Sequence, residues 1–476
     1  MTDTSNARFR RIILAIGVVA LLLRLAAFQF ALKKEAFFRF DYAIHTEIGR
    51  NAMNGNFSRT TDAGYLDVYE RIMTQRAGLV AVAPLPKPAP SALVPVFYID
   101  PGYGIQAGLL WKLMGRVDWT PVIVLQLLLD SAMVFLLFGI GLAVGRPRIG
   151  LWVAGFHAVF LLEIQQALVP HYDVFVTFYY ISLVYLLLKE RQTTPFRKSL
   201  LLMLAVGLLS AYISWIRSTV AFLPFVVALY LVVDKRRSVS FIKSAVLLVT
   251  FAAAFAVPKA AYNYQHFRRI DIVRGCKWWN IYTGLGQFAN PFGLVGTDGD
   301  VVRYVSSVDP SIRLGPPGVL DYRRADELVR PHVLHLIKEH PVWYVTTCIK
   351  RAALVVFPGF YFDDRFAQKS TADRDWFSSI LPWLSIVWRI LILGLAAWSL
   401  LFLVGAVMGL RRDAGMYLVV LLPFIYSVVS IAPMFLQHRS LTNVYFIQFF
   451  FALLAIRELK AVVQRRRSAS GLRVEM

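Results

Sequence analysis

Long apolar runs alternate along the chain with short polar turns. Apolar segments occupy positions 12–32, 119–144, 149–169, 172–188, 199–215, 218–233, 240–259, 379–409, 414–435 and 442–460. A helix needs about 20 mostly apolar residues to cross a hydrocarbon core, and most of these runs approach or exceed that length. The run at 149–169 is interrupted only by His157 and Glu163, and the run at 379–409 is long enough to tilt or to extend past the bilayer. No small-residue cleavage signal follows the first run, which is therefore read as a retained first span. "PGYGIQAGLLWKLMG" (Pro101–Gly115) is too short to span, and its Trp111 and Lys112 suit a helix lying on the membrane surface. The pattern predicts an all-α polytopic membrane protein of about ten transmembrane helices.

Composition agrees. Of 476 residues, 57% are hydrophobic and 17% charged, and the mean hydropathy is +0.56. A soluble domain carries about a quarter charged residues. The net charge of +22 raises nucleic acid as a partner. Its distribution gives a different reason. With the N-terminus in the cytoplasm, the inside segments are "RFRR" (Arg8–Arg11), "GRPR" (Gly145–Arg148), "KERQTTPFRK" (Lys189–Lys198), "DKRRS" (Asp234–Ser238), "GLRRD" (Gly409–Asp413) and a tail with "QRRR" (Gln464–Arg467), all rich in Lys and Arg. Basic inside loops are the positive-inside rule at work, so no nucleic acid is expected. Counting Pro101–Gly115 as a span would break this arrangement.

The resulting organisation is an N-terminus and first span (1–32), a first outer loop with an acidic motif and surface helix (33–118), a transmembrane bundle (119–259), a second outer loop (260–378), C-terminal spans (379–460) and a basic cytoplasmic tail (461–476). In the second outer loop, Arg324–Phe360 reads as one or two amphipathic helices near the membrane. Both cysteines, Cys276 and Cys348, fall in that loop, where either a bridge or two free thiols fits. "GLGQFANPFGLVGTDGD" (Gly284–Asp300) lacks the lysine and spacing of a phosphate loop and reads as a plain loop.

Chemistry collects at the outer ends of the runs. Asp41, Tyr42 and His45 follow the first span, and Asp100 precedes the surface helix. "VPHYDVF" (Val169–Phe175) supplies His171 and Asp173, and "SWIRST" (Ser214–Thr219) supplies Arg217. Lys259 opens the second outer loop, and "LQHRSLTNVY" (Leu436–Tyr445) supplies His438 and Arg439. Arg217, Lys259 and Arg439 are cations on the side where Lys and Arg are scarce. They suit either headgroup anchoring or the binding of a lipid phosphate. The acids suit proton abstraction from an incoming hydroxyl. Asp41 has a plainer alternative as a helix cap, as has Asp173. His45 shares a helix face with Asp41, four residues away. Glu163, within an apolar run, needs a partner or a polar cavity wall.

The order of apolar span, acidic motif, long outer loop, "DPGYGIQAGLLWKLMG" and a span ending at a "GR" turn resembles the GT-C glycosyltransferases, in particular bacterial aminoarabinose transferases and protein O-mannosyltransferases. "WIRSTVAFLPFVVALYL" (Trp215–Leu231) is similar to that group's Arg-Pro-Thr span start, with Ser218 in place of Pro, and "NYQHFRRIDIVRGCKWWNIYTGLGQFANPFG" (Asn263–Gly293) is similar to another of its passages. "QHRS" (Gln437–Ser440) stands where many members carry Glu-x-Arg-Tyr, and Asp41-Tyr42 where Asp-Glu is common.

The resemblance implies transfer of a sugar from a polyprenyl-phosphate donor to a glycan, lipid or protein acceptor on the periplasmic face of the inner membrane, with both termini cytoplasmic. It implies Asp41 as catalytic base and Arg217 and Arg439, with Lys259, near the donor phosphate. Tyr42, His45, Asp100, His171, Asp173 and His438 are the substrate-cavity candidates. No metal ligand set is expected, and a divalent cation stays open as a cofactor. An envelope ligase or polymerase of the O-antigen type, or a flippase for a lipid-linked sugar, are the alternatives. A flippase calls for charges at mid-span and repeated halves, whereas most charges here fall at the turns.

Overall fold

The computed structural model describes residues 3–31, 40–57, 59–61, 93–96, 99–193, 195–234, 240–273, 275–312, 314–315, 318–319, 322–357, 381–434 and 443–469. These residues are helical apart from turns and two minimal antiparallel ribbons, Arg59–Thr61 with Leu93–Pro95 and Leu314–Gly315 with Gly318–Val319. The helices are α1 (Asp3–Ala31), α2 (Phe40–Met53), α3 (Gly102–Met114), α4 (Thr120–Ala143), α5 (Pro147–Val159), α6 (Leu161–Leu168), α7 (Asp173–Gln192), α8 (Phe196–Ile216) and α9 (Leu223–Val233). They continue as α10 (Ser240–Phe251), α11 (Val257–Phe267), α12 (Lys277–Leu285), α13 (Asp298–Val308), α14 (Tyr322–Glu339), α15 (Pro341–Val356), α16 (Leu381–Ile431) and α17 (Tyr445–Ala469).

Among the described residues, five stretches are long and apolar enough to cross a membrane: Ala7–Gln29, Thr120–Ala143, Phe196–Ile216, Ser240–Phe267 and Ala396–Ile431. In α1 only 28% of the most apolar window is buried by protein. Leu14, Val18 and Leu22, one turn apart on α1, are each more than half exposed. An apolar stripe left outside a folded bundle is a lipid-facing surface.

Contacts sort the helix termini into two ends. At one end α7 finishes against α4, where Gln192 Nε2 donates to the Ala143 carbonyl at 2.6 Å. A buried ion pair, Lys243–Glu190 (2.6 Å), and a part-buried one, Arg146–Glu458 (2.8 Å), lie at this end, as does the Arg191–Asp234 pair. The basic turns of the sequence pattern that fall within the described residues converge here. The kink in α16 at Asp413 (φ −152°, ψ 89°) is at this end too, since Arg191 lies 3.6 Å from Asp413. It falls between the two apolar runs expected at 379–409 and 414–435. The other end gathers the turns expected on the outer face.

Two helices depart from the pattern. The run at 149–169 was expected to be one helix, but it breaks at Phe160 (φ −72°, ψ 108°) into α5 and α6. The cause lies on another helix. The Arg24 guanidinium of α1 donates to the carbonyls of Ala158 (2.9 Å) and His157 (3.2 Å). Those are the acceptors that the amides of Leu161 and Leu162 would use in a continuous helix. The run at 240–259 extends instead to Phe267, through a π turn at Ala252–Ala256. Pro258 has no N–H to give the Ala254 carbonyl, and the Trp215 indole N–H fills that place at 3.0 Å.

The predicted amphipathic stretch Arg324–Phe360 forms two helices, α14 and α15. Together with α12 and α13 they make a module held by buried carboxylates. Burial lifts the Asp326 carboxyl above the usual carboxylate range, although the Trp279 amide donates to it at 2.9 Å. Asp300 also loses hydration, yet amides of Thr297, Gly296 and Val295 and the Arg303 side chain hold it below that range. Arg351 of α15 ties the module to the bundle by donating to the carbonyls of Ala432 (2.9 Å) and Gly284. Cys276 and Cys348 are not joined in a disulfide.

Candidate functional site

The end of the bundle opposite the basic turns is built around a close crossing of α2 and α3. A Cβ on Gly108 would lie 2.2 Å from the Gly49 carbonyl oxygen, so the two helices meet backbone to backbone. One on Gly102 would lie 2.5 Å from the Trp215 carbonyl, so the start of α3 presses on the end of α8. The helix expected on the membrane surface at Pro101–Gly115 does form, and it buries Tyr103, Ala107 and Trp111.

This packing brings five of the sequence candidates together: His45, Asp100, His171, Asp173 and Arg217, with Lys259 beside them. α8 ends at Ile216, and Arg217 is extended (φ −151°, ψ 96°) before a 3₁₀ turn at Ser218–Val220. Ser and Thr here favour a turn over continued helix, and Pro224 restarts α9. The turn serves two acids at once. The Arg217 side chain pairs with Asp173 at 2.9 Å, and the next amide, of Ser218, donates to Asp100 at 2.7 Å.

Asp173 opens α7, where a carboxylate is favoured by the helix N-terminus. His171 Nδ1 lies 2.9 Å from its other oxygen. Lys259 lies 3.7 Å from Asp100 and within 6 Å of the Trp215 and Tyr262 rings. His45 of α2 completes the group, with its ring 4.9 Å from Tyr103, 5.9 Å from Tyr172 and 6.4 Å from His171.

Support comes from residues the sequence reading did not name. Tyr103 donates to Gln126 at 2.5 Å, and Gln126 Nε2 donates to the carbonyls of Ala167 (3.1 Å) and Val169 (2.8 Å). This fixes the turn that presents His171. Asp100, Asp173 and Lys259 have side chains at most 5% exposed, whereas Arg217 is 16% exposed. Arg217 is therefore the charge of the group most open to an incoming anion, with the Tyr172 ring 5.2 Å from its guanidinium carbon.

Asp41 and Tyr42 stand in the first turn of α2, one turn before His45, and their side chains are outside the described residues. His438 and Arg439 also lie outside the described residues. Among the described residues, no group of three or more His, Cys, Asp or Glu is placed to hold a metal ion.

Deeper in the bundle is a second charged group that was missed. Arg24 of α1 and Asp130 of α4 form an ion pair with both side chains 0% exposed, and His157 Nε2 lies 3.0 Å from Asp130. The signal was present, since each is a charge inside an apolar run and such charges need partners. Comparison with protein-family models and with curated proteins finds no match to the chain.

Proposed function

We propose that the chain is a GT-C-type glycosyltransferase that moves a sugar from a polyprenyl-phosphate donor to a hydroxyl of a glycan, lipid or protein. The observation that carries this reading is the paired polar group at the outer end of an otherwise apolar bundle. Arg217 is its most exposed cation, and α2 delivers Asp41 to the same end. In this reading the basic end is cytoplasmic, about ten segments span the inner membrane, and the polar end faces the periplasm.

Polyprenyl phosphate is already a good leaving group, so the enzyme has three tasks: orienting the acceptor, removing its proton and stabilising phosphate charge. Asp41 takes the acceptor proton. The acceptor oxygen bonds to the anomeric carbon as the bond from that carbon to the phosphate oxygen breaks. The departing phosphate keeps the electron pair and meets Arg217. Asp173 and His171 hold Arg217 in place, and Asp100 fixes the turn beside it.

Donor binding tests the assignment. In purified protein in nanodiscs, Arg217→Ala is expected to weaken binding of a polyprenyl-phosphate sugar by roughly 1.5–3 kcal/mol, the range for a charge-assisted hydrogen bond. Arg217→Lys is expected to restore part of it, because an ammonium cannot make the bidentate contact. Unchanged affinity in both variants would reduce Arg217 to a partner of Asp173.

The sidedness has its own test. In a background with Cys276 and Cys348 replaced by serine, Ser307→Cys and Ser468→Cys place thiols at exposed positions of α13 and the end of α17. An impermeant reagent is expected to label the first and spare the second in outer-permeabilised cells. The reverse pattern would invert the proposed orientation.

The buried Arg24–Asp130–His157 group favours a second reading, a flippase for the same lipid, because transporters keep ionisable groups within the membrane. Reconstituted vesicles separate the two. A flippase changes the leaflet of the labelled lipid, and a transferase releases its sugar to the acceptor.

A further inference from the structure

Glu163 Oε2 in α6 and the Tyr445 hydroxyl at the start of α17 are among the buried polar atoms that have no hydrogen-bond partner among the described residues. They belong to one corner of the bundle, since the Tyr445 ring is 5.6 Å from that of Phe160, the residue that caps α6 three positions before Glu163. Glu163 is 3% exposed. The buried Arg24–Asp130–His157 group lies just before the break that begins α6, and Asp173 opens the helix that follows it. Arg24 is committed elsewhere, to Asp130 and to the carbonyls of Ala20, His157 and Ala158. Native proteins seldom leave a buried polar atom unmatched, and those that do so usually have a use for it.

The chemistry of the pair narrows what would complete it. A carboxyl group accepts hydrogen bonds and, when protonated, also donates one, and a phenol can both donate and accept. A hydroxyl group matches both, because it can itself donate one hydrogen bond and accept another. A lipid chain matches neither. Asp173, the ion-pair partner of Arg217, opens the helix that follows α6. A phosphate at Arg217 thus brings its attached sugar toward this pair. The break at Phe160 sets this up, because it begins a new helix whose first turn carries Glu163.

We propose that Glu163 and Tyr445 form a hydroxyl-binding subsite that recognises the sugar of the polyprenyl-phosphate donor. The proposal rests on the glycosyltransferase reading and adds to it the residues that read the sugar, as distinct from those that hold the phosphate.

The test compares bare polyprenyl phosphate with polyprenyl phosphate carrying mannose, glucose or arabinose, bound to the full chain in nanodiscs. The wild-type protein is expected to bind at least one glycosylated lipid about tenfold or more tightly than the bare one, the scale of a hydrogen bond to a charged group. Glu163→Gln and Tyr445→Phe keep side-chain size and are expected to remove most of that preference while bare-lipid affinity stays within about twofold. Thermal melting checks that both variants fold. A preference that survives both substitutions overturns the subsite and leaves the glycosyltransferase reading intact. A wild-type protein with no preference among the lipids overturns it as well, and is the result expected of a pair that holds only water. Failure to bind even bare polyprenyl phosphate removes the subsite together with the donor reading.

Discussion

Asp41→Asn is expected to fold and bind donor normally and to lose about 10²–10⁴ in transfer rate, the usual contribution of a general base. The substitution separates two roles that a carboxylate in the first turn of a helix can play. Asp41 is the second residue of α2, where a negative charge is favoured by the helix N-terminus at about 0.3–1 kcal/mol. Asn caps helices about as well as Asp, so a capping role predicts almost no effect. α2 itself is held independently of this residue. Its Gly49 backbone lies against Gly108 of α3, and its Thr46 hydroxyl accepts from the Trp119 indole at 3.1 Å. Loss of activity without loss of fold is thus attributable to the missing proton acceptor. The measurement is single-turnover transfer of a radiolabelled sugar from its polyprenyl phosphate, beside donor affinity in the same preparation. Turnover near wild type would leave Asp41 as a cap.

Much of the helical layout was legible in the sequence, because hydropathy and basic turns are local signals and lipid acts on each run separately. His171, Asp173, Arg217, Asp100 and Lys259 could each be placed at the same end from turn order alone. Their pairing could not. Which acid meets which cation depends on the approach of α3 to α8 at Gly102, a contact between positions more than a hundred residues apart. The break at Phe160 was illegible for the same reason. Nothing in "FHAVFLLEIQQ" forbids a helix, and the donor that takes its carbonyls is 134 residues away at Arg24. The π turn at Ala252–Ala256 was half visible in Pro258, but its replacement donor, Trp215, is a tertiary partner. Arg24 and Asp130 show the opposite failing. Both were visible as charges within apolar runs, and weighing only the turns left them unread.

Those two charges give the second large effect. Asp130→Leu is expected to cost about 3–5 kcal/mol of stability, the range for removing one partner of a buried ion pair. The Arg24 guanidinium would remain 0% exposed with only the carbonyls of Ala20, His157 and Ala158 around it. Replacing both residues, Arg24→Leu with Asp130→Leu, is expected to recover most of the loss, since a buried pair is often no better than well-packed apolar residues. The comparison is a double-mutant cycle read by unfolding in mixed detergent micelles, and simple addition of the two single losses would deny the coupling. The double variant also probes function. Without the guanidinium, the carbonyls of His157 and Ala158 are free to accept from Leu161 and Leu162, and α5 and α6 can join into the continuous helix that the sequence alone predicts. That rotation would move Glu163 away from Tyr445. A double variant that is stable yet has lost sugar preference would place the purpose of the buried pair in shaping the site, whereas one that keeps both would confine it to packing α1 against the bundle.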